Sequence, residues 1–308
     1  MTTPSTGGTR RRILVGYVAT ENGRDALNLG IALARGQDAE LHVAIVAPQD
    51  GAYAGVYPHD RGYSSILEAQ LGDWLQEAIG RVPEGIPAVG HVVRGESEAE
   101  GLIQAAQDLD CYLIVVGARE GGMLRRFRVG SVAAALLHSS PIPVALAPHG
   151  YRQPGPISRV TCMFGPKPGA VDVIGLSVEA ARSRDAELRL VSLLLVGDQD
   201  EEKLDDDTRA MNLGVLYSIT RYGNERLSET AQEMVEAGTA TTEVVTGRTV
   251  DHAMDDLDWT PEEVAVVGSS RLAVRGRMFL GGTASKMLRS IPVPMIVVPA
   301  GYSAGGES

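Results

Sequence analysis

The residues best suited to chemistry lie between two apolar runs. Gly117, Gly121, Gly122 and Gly130 are interleaved with Arg119, Arg125, Arg126 and Arg128, and Ser131 and Val132 follow directly. Glycines let a backbone approach a ligand closely and adopt dihedrals closed to other residues. Arginine guanidinium groups fork onto phosphate oxygens. A helix opening at Gly130, Ser131 and Val132 offers free N–H groups and the positive end of its dipole, and Ser131 adds a hydroxyl donor. Together these residues describe a cradle for a phosphate-like anion. The same glycines serve equally well in a tight strand-to-helix crossing with the arginines in water, and spacing alone leaves both readings open.

The chain writes this corner twice. An offset of 151 residues carries Gly117 onto Gly268, Gly130 onto Gly281, Pro141 onto Pro292, Pro143 onto Pro294 and Pro148 onto Pro299, without a gap. The second loop keeps Arg271, Arg275 and Arg277, with Arg277 on Arg126; Gly282 replaces Ser131, and Thr283 follows one position later. Nearer the start of each copy the offset is 147, so that Asp38-Ala39-Glu40-Leu41 recurs as Asp185-Ala186-Glu187-Leu188. A unit of domain length that recurs once is a duplication rather than a solenoid of short repeats.

These corners require strands and helices to position them. Continuous apolar runs at 12–19, 41–47, 88–93, 111–117 and near 144–147 read as buried strands. Between them, Ala26, Leu29, Gly30, Leu33 and Ala34 share one helical face, as do Leu67, Leu71, Trp74, Leu75 and Ala78, and then Leu102, Ile103, Ala106 and Leu109. Ser97 and Glu100 form a capping-box pattern before the third helix. Alternating strands and helices predict an α/β fold: two tandem, doubly wound, five-stranded parallel-sheet domains of Rossmann-like type. The expected boundaries are 11–148 and 157–300, joined by a Pro- and Gly-rich linker at 149–156, with flexible tails at 1–10 and 301–308. The second copy adds an acidic run at 198–207 and a long helix expected to bury Met211, Val215, Leu216 and Ile219. A solvated loop is the ordinary reading of the acidic run.

Bulk properties narrow the classes. At 308 residues the chain suits two domains, and with 44% hydrophobic and 22% charged residues it has a globular composition. A net charge of −11 argues against a non-specific nucleic-acid binder. No run approaches the ~20 apolar residues of a membrane span, and no secretory signal pattern is present, so a cytoplasmic location is expected. Cys111 and Cys162 lack metal or redox spacing and read as buried thiols. The six histidines form no ligand pair, so no metal is expected beyond Mg accompanying a nucleotide.

At the glycines the chain resembles the universal stress proteins, over about 12–148 and 157–299. The family pattern is Gly, two residues, Gly, nine residues, then Gly with Ser or Thr. Gly117, Gly130, Ser131 and Val132 match it in the first copy, and Gly268 and Gly281 in the second. The resemblance implies an adenine-nucleotide-hydrolase-like fold and, in the ATP-binding branch, a site for ATP or a related adenine nucleotide. It also implies that residues ending the first strand and following the second hold the nucleoside, the places of Val18 and Val46. This chain departs from the pattern: Glu120 and Arg271 replace the second Gly, and Val18 and Gly165 replace the first-strand Asp. The first copy, which keeps Ser131 and the richer basic loop, is the better nucleotide site.

Three functions compete. The first is a regulatory binding module that senses an adenine nucleotide, with at most slow hydrolysis because no general base is apparent. The second is a nucleotide-free interaction protein with degenerate sites, working through self-association of its two domains, a homodimer or an unknown partner. In the family the last strand, with its Pro-X-Pro lead-in, often pairs domains, and 141–144 and 292–295 resemble that element. The third, an enzyme acting on an adenylated or phosphorylated substrate, rests on fold analogy alone.

Overall fold

A computed structural model describes residues 10–48, 61–118, 129–152, 155–165, 170–197, 205–269 and 278–302. The first half runs β1 (Arg11–Gly16), α1 (Glu21–Ala34), β2 (Ala39–Pro48), α2 (Arg61–Ile79), β3 (Ala88–Gly95), α3 (Glu98–Asp108), β4 (Cys111–Gly117), α4 (Ser131–Ser139) and β5 (Val144–Ala147). The second runs β6 (Arg159–Met163), α5 (Ala170–Arg182), β7 (Glu187–Leu195), α6 (Asp206–Thr230), α7 (Gln232–Glu236), β8 (Ala240–Gly247), α8 (Val250–Asp255), β9 (Glu263–Gly268), α9 (Gly282–Ser290) and β10 (Met295–Val298).

Within each half all strand pairs are parallel, in the orders β3-β2-β1-β4-β5 and β8-β7-β6-β9-β10. Helices cover both faces because neighbouring strand residues point to opposite sides. Ile13 and Val15 pack toward α1, α2 and α5, whereas Leu14 packs toward α3, α4 and α9. The shared plan reaches individual bonds. Tyr17 N donates to Ala44 O at 2.8 Å and Phe164 N to Val191 O at 2.9 Å; Ala118 N donates to Ala147 O at 2.8 Å and Ser269 N to Val298 O at 2.7 Å.

The two five-stranded sheets are not separate. β5 and β10 pair antiparallel, with Val144 opposite Val297, Ala145 opposite Ile296 and Leu146 opposite Met295, so ten strands form one sheet. The Pro-X-Pro segments deliver these two short strands. By closing each half's open edge on the other, they remove unpaired backbone groups from the middle of the molecule.

Several expectations need correction. β1 ends at Gly16 rather than at 19, and Thr20 N donates to Val18 O at 2.7 Å, so Val18 sits in a turn, not on the strand. The segment 149–152 is docked rather than a free linker. Gly150 N donates to Asp25 Oδ2 at 2.8 Å, Asn28 Nδ2 donates to Tyr151 O at 2.9 Å, and Tyr151 is buried. Part of each expected tail is also fixed: Arg10 pairs with Asp38 at 2.8 Å, and Tyr302 Oη donates to Tyr112 O at 3.3 Å. Trp74 lies on the exposed side of α2, and in α6 Met211 is 64% exposed and Val215 is exposed as well. Full burial in α6 begins only at Ile219 and continues with Gly223 and Leu227.

Candidate functional site

In a doubly wound sheet the crevice forms where strand order reverses, outside the C-terminal strand ends. In the first half that point lies between β1 and β4. A cavity of about 370 Å³ opens there, floored by Gly16, Ala44 and Val116. Of the residues expected from the sequence, Gly117, Gly130, Ser131, Val132, Val18 and Val46 all line it. Arg119, Gly121, Gly122 and Arg126, with Glu120, lie outside the described residues.

Two helices point their N-termini into this cavity. α4 starts at Ser131 after Gly130, which has no side chain to cap the free N–H groups, and Gly130, Ser131, Val132 and Ala133 all form wall. α1 starts after Thr20, whose hydroxyl makes no capping bond, and Thr20, Asn22 and Gly23 form the opposite wall. Three other helices are capped by side chains: Ser97 accepts from Glu100 N at 3.2 Å, Asp205 from Thr208 N at 2.6 Å and Thr249 from His252 N at 3.3 Å; α7 and α9, like α1 and α4, are not. Unsatisfied N–H groups and two positive dipole ends at one concavity suit an anion.

Close backbone packing around the start of α1 depends on two glycines, Gly117 against α1 itself and Gly23 against the turn before it. A Cβ on Gly117 would lie 2.0 Å from Asn22 O, and one on Gly23 would lie 1.9 Å from Val18 O. Both contacts are with backbone, which cannot swing aside, so the fold itself demands glycine at both places. Val18, at 42% exposure, and Val46 add apolar wall. Glu98, in the first turn of α3, is the one acidic side chain on the described wall. Thr20, Asn22 and Glu98 were not expected from the motif. Their signal lies in position: Thr20 and Asn22 follow the first strand directly, and Glu98 follows a legible helix cap.

The comparisons agree with this geometry. Residues 9–148 match the model of the universal stress protein family. A universal stress protein of Mycolicibacterium smegmatis is 34% identical over 140 residues, covering 45% of this chain and 99% of that one. The chain belongs to the universal stress protein family. A universal stress protein of Mycobacterium tuberculosis is 29% identical over 294 residues, covering 93% of this chain and 99% of that one, so the likeness extends across both halves. The solved structure of a universal stress protein from Archaeoglobus fulgidus shares the fold, with a TM-score of 0.60 at 18% identity, covering 96% of this chain and all of that chain.

The second universal-stress half holds its expected residues differently. Gly268 ends β9, Gly281 precedes α9, and Gly282 and Thr283 open that helix; Arg271 and Arg277 lie outside the described residues. Three floor and wall positions are enlarged or reshaped. Met163 stands where the first half has Gly16, Val191 where it has Ala44, and Met254 where it has Leu102. All three are buried in one cluster, so larger side chains stand at the positions of Gly16 and Ala44 and a methionine at that of Leu102.

The remaining chemistry is quiet. Burial pushes both thiols, Cys111 and Cys162, up to about 12, which leaves them protonated and unreactive near neutrality. Among the described residues no group of three His, Cys, Asp or Glu side chains is placed to hold a metal ion.

Proposed function

We propose that the first half binds an adenine nucleotide of the ATP class and that this binding serves regulation rather than turnover. The observation that carries the reading is the convergence of two uncapped helix N-termini, α1 and α4, on one cavity. A volume of about 370 Å³ lies at the small end of the roughly 300–1,000 Å³ typical of small-molecule sites. It suits a base and sugar lodged between Val18 and Val46, with phosphates at the mouth. There the N–H groups of Ser131 and Val132 and the Ser131 hydroxyl donate to phosphate oxygens. Arg119 and Arg126, from the same loop sequence, supply positive charge, and any Mg arrives with the phosphates. Glu98 accepts from hydroxyls of the ribose.

One observation favours the rival reading, an interaction protein that needs no nucleotide: packing alone accounts for Gly117. Titration calorimetry with ATP, ADP, AMP and cyclic AMP separates the two. Binding by the intact chain, weakened about tenfold by Ser131→Ala through loss of a hydrogen bond to a charged group, supports the nucleotide site. No heat at millimolar nucleotide supports the rival, and unchanged affinity in Ser131→Ala means the phosphates do not sit at α4.

A further inference from the structure

The long helix α6 carries an apolar face that no described part of the chain covers. Ile219, Gly223 and Leu227 form its buried side. Gly214 stands two and a half turns before Gly223, at about 3.6 residues per turn, and therefore on the opposite side of the helix. Around it Met211, Leu213, Val215 and Tyr217 are all exposed, Leu213 by 62% and Tyr217 by 69%. Ala210 and Ser218, four residues before and four after Gly214, are exposed on the same side. Single exposed apolar side chains are ordinary, whereas a contiguous apolar patch marks an interaction surface.

Two further features identify what covers it. Glycine inside a helix is unfavourable relative to alanine, and a Cβ on Gly214 would meet nothing within 4 Å, so packing within this chain does not call for glycine there. A second helix crossing closely at that point does. The charges are also arranged about the same residue. Asp207 and Arg221, both exposed, stand seven residues before and seven after Gly214, on its side of the helix. When two copies of α6 cross antiparallel at Gly214, Asp207 of each meets Arg221 of the other. Tyr217 then lies over Ala210 of the other copy and Met211 over Ser218, large against small. Arg221 also lies 3.6 Å from Glu225 in its own helix, and a guanidinium has donors enough for both carboxylates. A lipid surface fits less well, because Asp205, Asp206 and Asp207 head the patch and repel anionic headgroups. The edge that joins the two halves, β5 with β10, is already filled within the chain, so another copy must dock elsewhere.

We infer that α6 is a docking surface for a second copy of this chain, the two helices crossing antiparallel at Gly214 about a two-fold axis. The contact is isologous, each copy giving the same residues. Gly214 lets the backbones approach, the apolar side chains supply burial, and two Asp207–Arg221 pairs fix direction and register. The helix from Asp207 to Arg221 is only about 22 Å long, so the area buried falls below the ~1,600 Å² of a standard interface. The assembly is therefore a weak dimer, with a dissociation constant on the order of 10–100 μM. Nucleotide plays no part in it, and the inference is independent of the proposed function.

The test is sedimentation velocity of the full-length chain, without nucleotide, from about 1 to 300 μM. The expected result is monomer at the lowest concentration and dimer at the highest. Met211→Lys/Tyr217→Lys should keep the parental melting temperature and lose the dimer. Gly214→Ala separates interface from fold: it should raise the melting temperature of the dilute monomer through better helix propensity, yet weaken the dimer about tenfold by holding the helices apart. Asp207→Arg and Arg221→Asp should each weaken association by about tenfold, and the two together should restore it, because the exchanged charges meet again in the antiparallel register. Monomer at every concentration overturns the assignment, whether or not that monomer binds phosphatidylcholine vesicles through the patch. A dimer that survives Met211→Lys/Tyr217→Lys or is unmoved by Gly214→Ala also overturns it, as does a charge exchange that restores nothing.

Discussion

Ala145 and Ile296 face each other across the antiparallel junction, and the 151-residue offset that relates the two repeats carries one onto the other. The flanking pairs obey the same rule, since Val144 faces Val297, the counterpart of Leu146, and Leu146 faces Met295, the counterpart of Val144. A pseudo-two-fold axis therefore passes between Ala145 and Ile296. The chain joins its halves as a symmetric dimer joins subunits, through one self-complementary edge. Pro143 O and Ala147 O accept from β4, so by alternation the Leu146 N–H faces β10; Leu146→Pro removes that ladder donor beside the axis and leaves an acceptor unsatisfied, at a cost of about 1–3 kcal/mol before any lost packing. Each half carries one tryptophan, Trp74 and Trp259. Urea unfolding of single-tryptophan versions should show coincident transitions in the parent and separated ones in Leu146→Pro. Coincident transitions in both would mean the junction does not couple the halves.

Glu263 predicts a larger loss inside the second half. Its carboxylate is fully buried, accepts from Arg189 Nη2 at 2.8 Å and Thr260 N at 3.1 Å, and bonds the Thr161 hydroxyl. Arg189 also lies over the Trp259 ring, 5.5 Å from its centroid. Removing one partner of such a pair leaves a buried cation, which costs about 3–5 kcal/mol. Glu243 remains 3.6 Å from Arg189, so Glu263→Leu should fall near the lower end, about 3 kcal/mol. Adding Arg189→Met should recover most of it. A denaturation midpoint within error of the parent for Glu263→Leu alone would refute the account.

Met163 predicts stoichiometry. If its side chain occupies what is open space over Gly16, one chain binds one nucleotide, and calorimetry should return a ratio near one. Met163→Ala should cost about 2–5 kcal/mol as a core truncation while leaving nucleotide affinity unchanged. Two equivalents bound per chain, or an affinity that moves with Met163, would show that the second half takes part.

How much of this was legible beforehand divides along physical lines. Continuous apolar strands and 3.6-residue helix faces gave the α/β plan and the duplication, because those patterns report burial on two faces. The motif glycines and Ser131 led to the cavity, since strand-end loops line it in any doubly wound sheet. Periodicity could not show that Val18 leaves the strand, because its own apolar character continues the run. It overstated burial in α6, where Met211 and Val215 have helical spacing yet are exposed. The docking of 149–152 escaped because it depends on Asp25, a carboxylate on the buried face of α1 that no local pattern marks. The difference between the halves, too, lies in three scattered residues, Met163, Val191 and Met254, which only the strand register brings together.

A pH dependence follows from two histidines on neighbouring strands. His42 on β2 and His91 on β3 stack with ring centroids 5.0 Å apart, and His42 Nδ1 lies 2.8 Å from His91 Nε2. Burial lowers the pKa of each from its ordinary value; the neighbouring ring lowers that of His42 further, and Glu40 opposes the shift in both. In the unfolded chain both titrate near 6.5. As pH falls through that value the unfolded state takes up protons that the folded state refuses, so stability declines with acidification and levels off below the folded pKa values. Above about pH 7.5 the pair contributes no slope. Urea midpoints measured at pH 7.5 and 5.5 should fall more for the parent than for His42→Phe/His91→Phe, whose remaining slope belongs to other groups. Parallel profiles for the two proteins would exclude the pair as the acid-sensitive element.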